Sequence, residues 1–131
     1  MNYLTHVFLA DNTPESFVGA MLGDFVKGAA KNNYPPIIQC NIELHRNIDS
    51  FTDVHPMVRA AKPVFSPERR RLAGILLDIF YDLYLAKHWD SFSEVALPVF
   101  TSNVYAALRA LQTQLPDKLP HIALYAGRGL A

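Results

Sequence analysis

The sequence has very little cysteine and no excess of charge of either sign. Its 131 residues include 12 Lys and Arg against 12 Asp and Glu, so the formal net charge at pH 7 is zero. The single cysteine, Cys40, excludes an internal disulfide and a cysteine-rich zinc site, which is typical of a reducing compartment. The lack of net positive charge disfavours nucleic-acid binding, because proteins bind polyanions largely through counterion release.

Long hydrophobic runs are also lacking. No stretch approaches the roughly 18 apolar residues that a membrane span needs. The apolar start of the chain has no basic n-region and carries His6 in its middle, so it does not resemble a signal peptide. These absences predict a cytoplasmic protein that is not anchored to a membrane.

The hydrophobic pattern is helical along nearly the whole chain, without strand alternation or repeats. Half of the residues are hydrophobic, which is enough for one core, so we predict a single all-α domain over residues 1–131, a helical bundle. Prolines separate the predicted elements. The helices are predicted at 2–10, from 14 to near 28, 36–52, a short one from 56, from 66–68 to near 89, 98–115 and a stub after 120.

Two aspartates, Asp78 and Asp82, interrupt an otherwise almost wholly apolar run in the helix that is predicted to end near residue 89. One turn apart, they lie on the same side of that helix. Two carboxylates in a low dielectric are costly unless a cation lies between them. The pair therefore indicates a bound metal ion.

A second polar pair, His45 and Asp49, lies one turn apart on the third predicted helix. The core stripe of that helix is predicted to consist of four apolar residues, with the pair along its border: Ile37, Leu44, Ile48 and Phe51. Imidazole and carboxylate at this spacing can reach one divalent ion, although a local hydrogen-bonded pair is the commoner meaning. If the two helices pack face to face, both pairs meet in a site of nitrogen and oxygen ligands, which suits manganese, magnesium or iron better than structural zinc.

Four other features have both a structural and a functional interpretation. Asp24 follows an apolar turn and is a third candidate acid, or a solvated acid near a helix end. We expect His6 to be a buried neutral imidazole and His88 to be a cation at a helix C-terminus. The arginines at 69–71 are predicted to lie in the first turn of a helix, where the macrodipole disfavours cations; they form either a surface patch or a partner-binding site.

Signatures of covalent catalysis are missing from the sequence. It has no Gly-rich phosphate loop, no serine nucleophile elbow and no Cys–His pattern. A metal centre of histidine and aspartate is instead well suited to activating water against a phosphate ester.

Four segments, MNYLTH at 1–6, GDFVKG at 23–28, HRNIDSFTD at 45–53 and the stretch from DIFYD to LAKHW at 78–89, resemble the acyl carrier protein phosphodiesterase family (ACP hydrolase) in order and spacing. The resemblance covers roughly residues 1–120. It implies a helical fold like that of the HD-type metal phosphohydrolases. It also implies hydrolysis of the phosphodiester between 4'-phosphopantetheine and a serine of holo-acyl carrier protein, with a divalent metal, commonly Mn²⁺, and Mg²⁺ or Fe²⁺ as alternatives.

The resemblance also implies roles for individual residues. Five positions match the family's metal ligands: Asp24, His45, Asp49, Asp78 and Asp82. A partly overlapping set is implied to act in catalysis or to contact the phosphate: His6, Asp24, Arg46, Asp82 and His88. Because acyl carrier proteins are acidic, a group of cations becomes a candidate docking surface: Lys27, Lys31, Arg59, Lys62 and residues 69–71.

Three departures from the family pattern bear on activity. Leu83 stands where the family has a histidine, Ala20 stands where it has an asparagine, and the chain ends earlier than family members do. Uncovered apolar faces predict a homo-oligomer. The alternatives to the leading function are a catalytically impaired homologue that binds a carrier protein or self-assembles, and a phosphohydrolase of a small phosphate ester or nucleotide.

Overall fold

A computed structural model describes residues 2–114 of the chain, and this part contains six α-helices and no β-strand. The helices are α1 Tyr3–Leu9, α2 Pro14–Leu22, α3 Pro36–Val54, α4 Pro56–Ala61, α5 Ala73–Lys87 and α6 Leu97–Ala110. Short 3₁₀ turns lie at Gly28–Asn33, Lys62–Val64, Arg70–Leu72, Trp89–Ser91 and Gln112–Gln114. The all-α prediction is confirmed. The single domain and the likeness to HD-type folds stay predictions, and the predicted stub after residue 120 lies outside the described residues.

Prolines open helices where the sequence predicts them. Pro14 occupies the first turn of α2, and the preceding Thr13 accepts a hydrogen bond from the Ser16 N–H at its Oγ1, 3.2 Å away. Proline fits this turn because its missing N–H has no partner inside the helix. These local signals explain why most of the helices begin where the sequence indicates.

Three predicted boundaries are wrong. Helix α6 ends at Ala110 rather than at residue 115, and a 3₁₀ turn follows it. Helix α2 ends at Leu22 rather than near residue 28: the backbone turns there, and Gly28 adopts a left-handed φ of +53°. Helix α5 begins only at Ala73, because a turn closed by the Arg70 N–H to the Ser66 carbonyl (2.9 Å) and a 3₁₀ turn come first. The arginines at 69–71 therefore precede the helix, whereas the sequence predicted them in its first turn.

Helix α2 lies at the centre of the fold, with residues 16–22 all buried. It packs against α1, α3 and α6. The buried apolar cluster around it includes residues from all four helices: Val7, Phe17, Val18, Leu22, Ile38, Ile42, Val104 and Leu108. This core holds α1 and α3 on neighbouring sides of α2.

The core stripe predicted for α3 is wrong. Ile37 and Phe51 are 55% and 66% exposed, Leu44 is exposed and Ile48 is only partly buried. The buried face is instead the one with polar members, which was predicted to be the border: Ile38, Asn41, Ile42 and His45. The prediction is wrong because the side of α3 that packs against α2 includes the polar residues Asn41 and His45.

Two glycines allow α2 and α3 to approach closely. A Cβ on Gly19 would lie 2.4 Å from the Asn41 Cβ, and a Cβ on Gly23 would lie 2.1 Å from the His45 Cγ. Real Cβ atoms essentially never come within 3.0 Å of another heavy atom. Because Gly19 and Gly23 have no Cβ atom, α2 and α3 can pack at this short distance.

Helix α5 carries an exposed apolar face. It buries Ala73, Leu77 and Leu85, and its outer residues are exposed: Ile75, Ile79, Phe80, Leu83 and Tyr84. The uncovered apolar face agrees with the prediction, but the homo-oligomer inferred from it stays a prediction. Within residues 2–114, no helix combines the length and apolarity needed to cross a membrane.

Candidate metal centre

Three side chains from two helices bring possible metal ligands together inside the bundle. His6 on α1 and His45 and Asp49 on α3 each offer a ligand atom, and these atoms lie within 4.8 Å of one another. His6 and His45 are 1% and 2% exposed, while Asp49 is partly exposed. We call these three residues the His–Asp cluster.

The orientation of His45 is fixed by a backbone group. Its Nδ1 lies 2.6 Å from the Ala20 carbonyl oxygen, and because a carbonyl only accepts, Nδ1 carries the proton. Its Nε2 then faces two carboxylates, at 3.1 Å from Asp24 Oδ1 and 3.3 Å from Asp49 Oδ2. A hydrogen bond at one ring nitrogen that directs the other toward a metal is the usual arrangement for a ligating histidine.

His6 lies directly over His45. The two imidazole rings are stacked with their centroids 3.5 Å apart and their planes 8° from parallel. His6 Nε2 lies 3.0 Å from Asp49 Oδ1. Asp49 thus presents one oxygen to each histidine and bridges α1 and α3 through its carboxylate.

The two stacked imidazoles have opposite pKa shifts. Burial opposes a charge on His45, but the hydrogen bonds to Asp24 and Ala20 and the two carboxylate charges outweigh it, so its pKa is raised. The pKa of His6 is lowered, first by burial and then by the charge of His45. The pKa of Asp24 is lowered, mainly by its hydrogen bond with His45. Without a metal, the stack therefore holds its positive charge on His45.

The donor set fits a first-row divalent cation. Two imidazole nitrogens and a carboxylate oxygen, with Asp24 beside them, suit Mn²⁺, Fe²⁺ or Zn²⁺. Mg²⁺ prefers an all-oxygen site, so the two imidazoles favour it less. A bound cation would occupy the position at which Nε2 of His45 otherwise carries a proton, because metal ligands must be deprotonated.

The sequence profile that describes acyl carrier protein phosphodiesterase matches residues 1–128. The chain belongs to this family. It is 39% identical over 122 residues to the acyl carrier protein phosphodiesterase of Yersinia pestis, covering 92% of this chain and 60% of that protein. For the Serratia proteamaculans protein of the same name the identity is 40% over 125 residues, covering 95% and 60%.

The Escherichia coli O45:K1 protein of that name is 40% identical over 121 residues, covering 92% of this chain and 61% of its own length. The chain thus spans about three fifths of the curated relatives it matches. No solved structure matches it. The family resemblance read from the sequence is confirmed.

Asp82, which the sequence predicts to be a metal ligand, lies on α5 with its carboxylate at the start of α1. Its carboxylate accepts hydrogen bonds from the Leu4 N–H (2.9 Å), the Thr5 N–H (3.0 Å) and the Thr5 hydroxyl. These N–H groups belong to the first turn of α1, where backbone donors lack partners within the helix. Donors at the start of α1 therefore satisfy part of the hydrogen-bonding capacity of the Asp82 carboxylate.

The other predicted residues lie in different surroundings. Asp78 is partly buried one turn before Asp82 on α5, and among the described residues neither aspartate belongs to the His–Asp cluster. His88 caps the C-terminal end of α5, with its ring 4.3 Å from that of Tyr84. Arg46 donates to the Val26 carbonyl at 2.8 Å. Metal-binding or catalytic roles for Asp78, Asp82, Arg46 and His88 stay predictions.

His6 is the one member of the cluster that the sequence did not indicate as a metal ligand. Its helix is short and apolar and offers no carboxylate one turn away. Its partner Asp49 is 43 residues distant along the chain. Only the family resemblance, which gave His6 a role near the phosphate, pointed to this position.

Proposed function

We propose that this chain is a metal-dependent phosphodiesterase that hydrolyses the 4'-phosphopantetheine–serine linkage of holo-acyl carrier protein. The products are apo-acyl carrier protein and free 4'-phosphopantetheine. The observation that supports the proposal is the His–Asp cluster, whose buried imidazoles and bridging carboxylate offer three ligand atoms for a cation in a member of this family. The names of the relatives supply the substrate.

The metal would be held by Nε2 of His6, Nε2 of His45 and the Asp49 carboxylate, with Mn²⁺ the expected ion and Fe²⁺ an alternative. When bound, such a cation polarises the phosphoryl oxygen and lowers the pKa of water. Asp24, whose side chain is 48% exposed, has a lowered pKa and is ionised at neutral pH. We assign to it the orientation of the attacking water, since its lowered pKa makes it a weak general base.

The departures from the family pattern do not remove any member of the cluster. Ala20 contributes through its backbone carbonyl, which any residue would offer. Leu83 is 60% exposed on α5, in a groove that Val7 and Leu108 also line. Neither substitution therefore alters the three ligand atoms of the cluster.

This chain carries exposed cations that suit the binding of an acidic carrier protein. Arg59 and the arginines at 69–71 are exposed, beside the exposed apolar residues Met57 and Val64. Lys31 contributes less, because it forms an ion pair with Glu43. Cations around apolar contacts suit an acidic partner, since charge steers the encounter and apolar area holds it.

The proposal is tested with holo-acyl carrier protein, Mn²⁺ and detection of the lost phosphopantetheine group by mass spectrometry. We expect turnover that EDTA abolishes and Mn²⁺ restores, and a loss of at least a hundredfold for His45→Gln and Asp49→Asn. Circular dichroism shows whether these variants stay folded, and Mn²⁺ titration followed by electron paramagnetic resonance measures the site directly.

A small phosphodiester, bis(4-nitrophenyl) phosphate, separates the alternatives. Hydrolysis of the small ester without action on holo-carrier protein would indicate a phosphohydrolase of small substrates. Binding of holo-carrier protein without turnover of either compound would indicate the impaired homologue. Equal activity of wild type and His45→Gln would contradict the role of the cluster.

A further inference from the structure

A concave site lies in the loop between α2 and α3, directly after Asp24 in the chain. It is a cavity of about 440 Å³, within the range of 300–1,000 Å³ typical of small-molecule sites. Its lining includes two aromatic residues, an alanine, an asparagine and a lysine: Phe25, Tyr34, Ala30, Asn33 and Lys27. We call it the loop pocket.

Two side chains of α3 hold the two walls of the loop pocket in place. Arg46 donates to the Val26 carbonyl at 2.8 Å and to the Gly28 carbonyl at 3.3 Å. Gln39, two helical turns earlier, donates to the Tyr34 carbonyl at 2.6 Å. Because both donors belong to the helix that carries the cluster, the pocket keeps a fixed position relative to it.

Lys27 connects the loop pocket to the cluster. It lines the pocket, it is exposed, and within residues 2–114 it forms no ion pair. It is also close to Asp24: after the dominant hydrogen bond from His45, the Lys27 charge is one of the contributions that lower the pKa of that carboxyl. Because Asp24 lies 3.1 Å from Nε2 of His45, the segment that carries Asp24 and Lys27 runs from the cluster to the pocket.

We propose that the loop pocket binds the organic arm of the substrate's phosphate ester, with Lys27 holding the phosphate at the edge nearest the cluster. This inference rests on the proposed function and assigns the part of the substrate that keeps the phosphate, while the serine of the carrier protein is the leaving group. The lining alternates aromatic and aliphatic surface with an amide and a cation, which suits an arm that alternates apolar and amide groups. Pantetheine is such an arm.

The test measures binding rather than turnover. The Mn²⁺-loaded chain is titrated by calorimetry with 4'-phosphopantetheine, with pantetheine lacking the phosphate and with inorganic phosphate. We expect 4'-phosphopantetheine to bind more tightly than either part alone. Lys27→Ala should weaken its binding about tenfold, as expected for loss of a charge-assisted contact, and should weaken pantetheine binding much less.

Two further variants separate the arm from the charge. Ala30→Trp fills the pocket, and it should weaken 4'-phosphopantetheine and pantetheine but not inorganic phosphate. Lys31→Ala is the matched control, because it removes one positive charge from the same loop, where Lys31 already pairs with Glu43. It should change the affinity for 4'-phosphopantetheine less than twofold. Thermal unfolding and Mn²⁺ affinity confirm that each variant retains its fold and its cluster.

The possible outcomes distinguish this inference from the proposed function. Binding of 4'-phosphopantetheine that depends on Lys27 and Ala30, without hydrolysis of holo-carrier protein, would support the pocket and refute the proposed function. Normal hydrolysis, with an unchanged KM in Lys27→Ala and Ala30→Trp, would refute the pocket alone. Equal effects of Lys27→Ala and Lys31→Ala would overturn the assignment of Lys27.

Discussion

Replacing Gly23 by alanine tests whether the spacing between α2 and α3 builds the metal centre. Gly23 has φ −53° and ψ −33°, a helical conformation that any residue adopts, so the substitution introduces no backbone strain. The new Cβ would lie 2.1 Å from Cγ and 2.4 Å from Cδ2 of His45. Carbon atoms pack best at about 3.5–4.0 Å, so the imidazole has to move.

His45 has little room to move. Its Nδ1 is held by the Ala20 carbonyl at 2.6 Å, its Nε2 by Asp24 at 3.1 Å, and its face by His6 at a centroid distance of 3.5 Å. Overpacking a core costs about 1–3 kcal/mol, and a lost hydrogen bond to a charged group adds about 1.5–3 kcal/mol. Alanine returns at most about 1 kcal/mol of helix propensity. We therefore expect a net destabilisation of about 2–4 kcal/mol.

Circular dichroism melts and Mn²⁺ titration provide the readouts. The expected loss corresponds to a Tm lower by about 6–15 °C for a chain of this size, and Mn²⁺ affinity should fall at least tenfold because His45 no longer presents its Nε2 correctly. Gly74→Ala is the matched control, because a Cβ there meets nothing within 4 Å. It should leave Mn²⁺ affinity unchanged and raise stability by up to about 1 kcal/mol. Wild-type Tm and Mn²⁺ affinity in Gly23→Ala would refute the reasoning.

Three further predictions follow from the contacts of single residues. Asp82→Ala removes three hydrogen bonds from the start of α1 and should cost about 2–3 kcal/mol in urea unfolding, with faster hydrogen exchange confined to α1; unchanged exchange there would contradict it. Reversing Arg70 and Arg71 to glutamate should raise KM for the carrier protein at low salt but leave hydrolysis of a small diester unchanged; an equal KM would remove the docking role. In EDTA, the Asp24–His45 pair should stabilise the fold most between about pH 4 and 6.5. The pKa of His45 is raised, so its contribution to the free energy of unfolding is lost as pH rises. The pKa of Asp24 is lowered, so its contribution is lost as pH falls. Urea unfolding of wild type and Asp24→Asn should therefore differ most in that window, and a difference independent of pH from 5 to 9 would contradict it.

The helices could be predicted because their signals are local. Proline at the first turn and a capping hydroxyl such as that of Thr13 depend on a few neighbouring residues. The α2 boundary was wrong because Phe25 and Val26 continue the apolar spacing of the helix, whereas the chain leaves the helix at Gly23, directly after Leu22. The beginning of α5 failed because a turn and a 3₁₀ segment imitate a helix start in the sequence.

The candidate site was predicted only in part, because its geometry depends on long-range contacts. The one-turn spacing of His45 and Asp49 predicted that both lie on the same side of one helix. The partnership of Asp49 with His6 arises from the packing of α1 against the bundle, which no spacing within a helix encodes. The buried face of α3 was missed because a rule based on apolar periodicity ranks Phe51 above His45, whereas packing against α2 exposes the first and buries the second.

Helix α3 connects the cation site with the loop pocket, and the glycines of α2 set the position of both. The inner face of α3 carries His45 and Asp49, and neighbouring positions carry Gln39 and Arg46, which fasten the loop after α2. Gly19 and Gly23 leave no space between the two helices, so a shift of α3 would displace the imidazole and the pocket walls together. Because packed interiors resist small displacements, this arrangement can hold the organic arm, the phosphate and the metal at fixed positions relative to one another. The close approach of α2 and α3 is therefore the structural requirement that the proposed chemistry imposes on the fold.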